Sequence, residues 1–123
     1  MKNKTNKGYK VYCHIVRKEI SGYDYDKYYI GITNRVKVED RWGENGKYYK
    51  RQIFYNAIQK YGWNNIEHRL LFDNISFEEA CLIEQSLIKI LDSKLGHKGY
   101  NNTDGGEGVR GYNIRKNKWC LLC

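Results

Sequence analysis

From Lys10 to Arg17, Val11, Cys13 and Ile15 alternate with Tyr12, His14 and Val16, and this period of two predicts a half-buried strand. The same period returns from Lys27 to Thr33, with Tyr28, Ile30 and Ile32 on one face and Tyr29, Gly31 and Thr33 on the other. Ser21-Gly22 lies between the two runs and predicts the loop of an antiparallel hairpin. With Val11, Cys13, Ile15, Tyr28, Ile30 and Ile32 turned to the core, Tyr12, His14 and Tyr29 share the opposite face. That face is the one left for chemistry.

Beyond the hairpin the period changes. Val36 to Trp42 is short and charged and predicts a helix ending near Gly43. Gln52 to Tyr61 sets Ile53, Phe54, Ala57, Ile58 and Tyr61 at helical spacing and stops at Gly62. Ile66 to Phe72 predicts a third strand. Ser76 with Glu79 three residues on forms a capping box before a helix running to about Leu91. Along that helix Phe77, Ala80, Cys81, Leu87, Ile88 and Leu91 trace an apolar stripe, and Glu84 falls in the middle of it. A carboxylate on a core face is costly unless it is protonated, paired with a cation such as Arg41, bound to a metal, or able to reach water.

The 123 residues suit one domain, read as 9–108, between basic tails at 1–8 and 109–123. Lys and Arg number 22 against 14 Asp and Glu, a formal charge of +8, and twelve tyrosines are interleaved with them. Such a surface suits a phosphate polymer, although charge alone serves solubility equally well. No apolar run of membrane-spanning length and no secretory leader is legible, so an intracellular, non-membrane protein is expected. Cys13, Cys81, Cys120 and Cys123 lack the spacing of a disulfide framework, and the Cys120/Cys123 pair has no partner pair to complete a zinc site.

These residues together resemble the GIY-YIG nuclease family, in particular its small phage and homing-endonuclease type. The resemblance runs from about Tyr9 to Gly108. It rests on Val11-Tyr12, Tyr29-Ile30-Gly31, Arg41, Phe54-Tyr55-Asn56-Ala57-Ile58 through Tyr61-Gly62-Trp63, Ala80 with Glu84, and Gly99-Tyr100-Asn101 with Gly105-Gly106. It implies an α+β fold, a small three-stranded antiparallel sheet flanked by helices, that hydrolyses DNA with one divalent metal, Mg²⁺ or Mn²⁺. Carried onto this chain, Glu84 corresponds to the metal-binding glutamate, Arg41 to the phosphate-steadying arginine, Tyr12 and Tyr29 to the two active-site tyrosines, and Asn101 to the asparagine near the catalytic surface. Gly31 on the same face leaves room for a phosphate backbone.

The sequence departs from the family pattern in three places. Lys10 stands where the first glycine is usual, the interval from Tyr12 to Tyr29 is long, and Asn45 holds a place that is often histidine or tyrosine. His14, Tyr48 or Tyr49 is then expected to supply the missing polar contact.

Phosphodiester hydrolysis needs a deprotonated water, neutralised phosphate oxygens and help for the leaving oxygen. Tyr12 is the expected base, yet a free phenol titrates near 10, so nearby cations would have to lower it. The rival readings are a silent nucleic-acid-binding module of the same fold and a basic domain with no nucleic-acid role. With no reading module visible, target recognition is expected to be weak or to come from a separate DNA-recognition domain or partner.

Overall fold

The computed structural model describes residues 8–105. Its sheet has three antiparallel strands, β1 (Tyr9–Val16), β2 (Lys27–Thr33) and β3 (Glu67–Ile75), in the order β2-β1-β3. Four helices accompany it: α1 (Lys18–Ser21), α2 (Val38–Trp42), α3 (Phe54–Tyr61) and α4 (Phe77–Leu91). Two 3-10 segments, Glu44–Tyr49 and Trp63–Asn65, bracket α3. The expected α+β architecture is therefore present.

The central strand is buried on both faces, which alters the meaning of its alternation. Val11, Cys13 and Ile15 pack with Ile30 against Ala80 and Ile88 of α4. Tyr12 and Val16 pack on the other face against Val38 and Trp42 of α2, Tyr49, and Phe54, Ala57 and Ile58 of α3. The period of two thus separates one core from a second core, not core from solvent. The second is richer in aromatic and polar atoms, and His14 lies fully buried among its rings.

Helix α4 follows the capping logic of its sequence. Ser76 Oγ accepts from the Glu79 amide at 3.0 Å, and Glu79 returns a carboxylate oxygen to the Ser76 amide at 2.9 Å. Its buried positions are Ala80, Cys81, Glu84 and Ile88, so the stripe through Glu84 does face inward. Helix α3 ends at Gly62, as its spacing requires, but begins at Phe54, leaving Ile53 exposed.

Further boundaries differ from expectation. The segment between β1 and β2 contains a four-residue helix, α1, where a plain hairpin loop was expected. Arg17 fastens this insertion by binding Asp26 at 2.9 Å and Glu67 of β3 at 2.6 Å, which accommodates the long Tyr12–Tyr29 interval. Helix α2 starts at Val38 and leaves Val36 exposed. Strand β3 runs on to Ile75 because Lys10 holds Asp73 at 2.9 Å and Tyr9 pairs with Ile75 across a register shift. Its middle is exposed on both faces, so hydrophobic periodicity had little to register there.

Cys13 and Cys81 are buried and form no disulfide, and Cys120/Cys123 lie outside the described residues, as do Gly106 and, apart from Gly8, both expected tails. Among the described residues no helix is long and apolar enough to cross a membrane.

Candidate functional site

A cavity of about 440 Å³ opens beside β2, one of the two outer strands. Tyr12 reaches it from β1, Tyr29 and Gly31 from β2, Arg41 from α2, Glu84 from α4 and Asn101 from the segment after α4. Residues as far apart in sequence as Tyr12 and Asn102 thus border one space.

The antiparallel register sets Tyr12 directly opposite Gly31. A Cβ at position 31 would stand 2.4 Å from the Tyr12 ring carbon Cζ and from its hydroxyl. Gly31 therefore makes room for the phenol of Tyr12, and it also borders the cavity itself. Arg41 Nε donates to the Tyr12 hydroxyl at 3.3 Å, and its guanidinium lies 3.7 Å from the centre of the Tyr48 ring. One nitrogen and the plane of the guanidinium are thereby fixed at the cavity wall.

Burial raises the Tyr12 pKa, and the Arg41 charge opposes that shift without overcoming it, while Glu84 adds to it. Tyr12 is a neutral phenol at pH 7. Tyr29 is held differently, its hydroxyl donating to Gln52 Oε1 at 2.9 Å.

His14 and Tyr49 do not border the cavity but lie buried behind Tyr12. The Tyr49 hydroxyl is 3.3 Å from that of Tyr12 and 2.8 Å from His14 Nε2. His14 Nδ1 is 2.8 Å from Nδ1 of His68, its partner across β1 and β3. His68 Nε2 in turn lies 2.9 Å from the Trp63 carbonyl oxygen, and its ring stacks on the Trp63 indole at 3.7 Å. Of the residues near this segment, Tyr48 borders the cavity, against the Arg41 guanidinium, and Asn45 does not. Asn45 instead takes a left-handed backbone conformation at φ 53° in the 3-10 segment.

Asn101 acts on the backbone of β2. Its Oδ1 accepts from the Ile30 amide at 2.9 Å and its Nδ2 donates to the Ile30 carbonyl at 2.8 Å, so one side chain satisfies both edge groups of that residue. Ser93 Oγ donates to the same Oδ1 at 2.8 Å. The approach needs Gly99, where a Cβ would meet the Ser93 and Tyr28 carbonyl oxygens at 2.3 Å. Asn101 thereby fixes the strand residue immediately before Gly31.

Glu84 is 6% exposed, on the inward stripe of α4 and at the cavity wall. Among the described residues no cluster of three or more His, Cys, Asp or Glu side chains could hold a metal. One carboxylate fits Mg²⁺ or Mn²⁺, which bind through one or two carboxylates and keep water and phosphate oxygens as their other ligands. It does not fit a structural zinc, which takes four protein ligands.

Sequence reasoning missed Gln52, His68 and Ser93. The signal for His68 was available only through strand register, because it is the cross-strand neighbour of a buried His14. The chain matches no family model, no curated protein and no solved structure in the comparisons made.

Proposed function

We propose that the protein is a metal-dependent endonuclease of GIY-YIG type that hydrolyses DNA phosphodiester bonds at the cavity beside β2. The reading is carried by one observation: Tyr12, Tyr29, Arg41 and Glu84 come from four separate elements and border the same space.

Each side chain has a role within reach of its position. Arg41, restrained by Tyr12 and Tyr48, presents its remaining guanidinium nitrogens to a phosphate oxygen as a permanently charged, planar donor. Tyr12 contacts the attacking water and takes part in its deprotonation. Tyr29, oriented by Gln52, contacts the phosphate from the β2 side. Glu84 would hold Mg²⁺ or Mn²⁺, whose chemistry is to neutralise phosphate charge and stabilise the departing oxygen. Asn101 and Gly31 position these groups. The formal charge of +8 supplies the attraction for the polymer, and target choice is left to a separate DNA-recognition domain or partner.

Supercoiled plasmid incubated with the purified protein in Mg²⁺, Mn²⁺ or EDTA tests the reading. Nicked or linear product with either metal and none with EDTA is expected. Salt-sensitive binding without any cleavage would instead favour a silent binding module of the same fold.

A further inference from the structure

The hydrogen bonds behind Tyr12 have one consistent polarity. A carbonyl oxygen only accepts, so the Trp63 carbonyl fixes the proton of His68 on Nε2. Burial lowers the His68 pKa, and at neutral pH its Nδ1 is therefore an acceptor. His14 must then carry its proton on Nδ1, and its Nε2 accepts from the Tyr49 hydroxyl. Tyr49 has given its only proton to His14, so across the 3.3 Å contact it accepts from Tyr12. Tyr12 accepts in turn from Arg41 Nε at 3.3 Å. Every proton from Arg41 to Trp63 points the same way, out of the cavity and across the sheet.

We propose that Tyr49, His14 and His68 form a proton relay that carries the proton taken up by Tyr12 from β1 to β3, so that Tyr12 serves as a base without ionising. This inference rests on the endonuclease reading. In the step, an O–H bond of the attacking water breaks, its electron pair stays on the hydroxide, and the proton bonds to the Tyr12 oxygen. The Tyr12 proton moves to the Tyr49 oxygen, and that of Tyr49 moves to His14 Nε2. The Nδ1 proton of His14 moves to His68 Nδ1. The products are hydroxide at the phosphate and an imidazolium at His68, with every hydroxyl again neutral.

The relay removes the difficulty of a buried phenol as a base. A phenolate would have to form against the desolvation that raises Tyr12 and, still more, Tyr49. His68 is the suitable terminus because it is half-buried, whereas His14 is enclosed. The rings packed on His68 are Trp63 from the 3-10 segment, Trp42 from α2 and His14 from β1, and of these only His14 titrates. Its strand neighbours Glu67 and Arg69 are engaged with each other and, through Glu67, with Arg17. Tyr49, His14 and His68 are positioning residues for Tyr12, not catalytic residues.

The test is the pH dependence of single-turnover plasmid cleavage in wild type, His68→Gln and Tyr49→Phe, with Glu84→Ala as the inactive reference. Glutamine can still accept from His14 and donate to Trp63, so packing and DNA affinity should persist while proton acceptance is lost. The relay is expected to give wild type a rate that levels off above the His68 pKa. Both variants should fall by roughly 10²-fold at neutral pH, the lower end of what general-base catalysis supplies, and keep rising with pH. Variants with the wild-type rate and profile, beside an inactive Glu84→Ala, would overturn the relay and leave the nuclease reading standing. Absence of cleavage by wild type would overturn both. Independently of activity, ¹⁵N imidazole spectra of the full chain should show His14 protonated on Nδ1 and His68 on Nε2, and the opposite tautomers would contradict the relay.

Discussion

Gly31 and Asn101 control the site without providing chemistry. Adding one methyl at position 31 places a carbon 2.4 Å from the Tyr12 ring in a region already filled on both sides of β1. Gly31→Ala should therefore destabilise the fold by about 1–3 kcal/mol and displace Tyr12, as measured by urea unfolding and plasmid cleavage. Unchanged stability and activity would contradict the close approach. Asn101→Ala leaves the buried Ile30 amide and carbonyl without their side-chain partner and should cost about 1–3 kcal/mol in the same unfolding assay. At this scale Tyr12, Tyr29 and Glu84 were legible because strand and helix periodicity single them out, whereas Arg41 was marked only by the family resemblance. His68 was not legible. It is a half-buried position in a strand whose middle is exposed, and its partner is assigned by register with β1, a long-range property that no local window contains.

Helix α4 carries Glu84, and its first turn is closed by the Ser76–Glu79 capping box. Ser76→Ala removes one half of the capping box and should lower stability by about 1 kcal/mol, readable as a shift of the urea midpoint at constant slope. Because Glu84 lies two turns beyond the cap, DNA cleavage under folding conditions should be unchanged. The cap and the extent of α4 were visible in sequence since both are local signals. The four-residue α1 was not, being too short to express a helical period, and the end of β3 was obscured by Asp73-Asn74, residue types that strands disfavour. There, Lys10 and the pairing of Tyr9 with Ile75 override the local preference. The alternation of β1 identified the strand correctly but could not distinguish solvent from a second core.

For the molecule as a whole, the buried histidines give stability a defined pH window. His14 is depressed well below the usual 6.5 by burial and by the facing His68, and burial also depresses His68. Below pH 6.5 the unfolded chain binds protons at these positions that the native chain does not, so stability rises with pH up to about 6.5 and falls on acidification. Each histidine contributes a slope of up to about 1.4 kcal/mol per pH unit. Urea unfolding between pH 5 and 8 should show this decline, and a flat profile would contradict neutral imidazoles at the buried His14 and the half-buried His68. Glu67 acts in a separate window. Arg17 and Arg69 hold its pKa at about 2, so its contribution is present above about 4.5 and is lost only as the pH falls toward 2.

The site assembles from distant segments because the sheet brings β1 and β2 into register while α2 and α4 approach its opposite faces. The proposal that this assembly cuts DNA through Glu84 is tested by Mg²⁺-dependent cleavage of supercoiled plasmid by wild type and Glu84→Gln side by side, with DNA affinity determined at the same salt. Cleavage by the wild type, its loss in the variant, and similar affinity for both are expected. Equal cleavage by the two proteins, or none by the wild type in either Mg²⁺ or Mn²⁺, would contradict it.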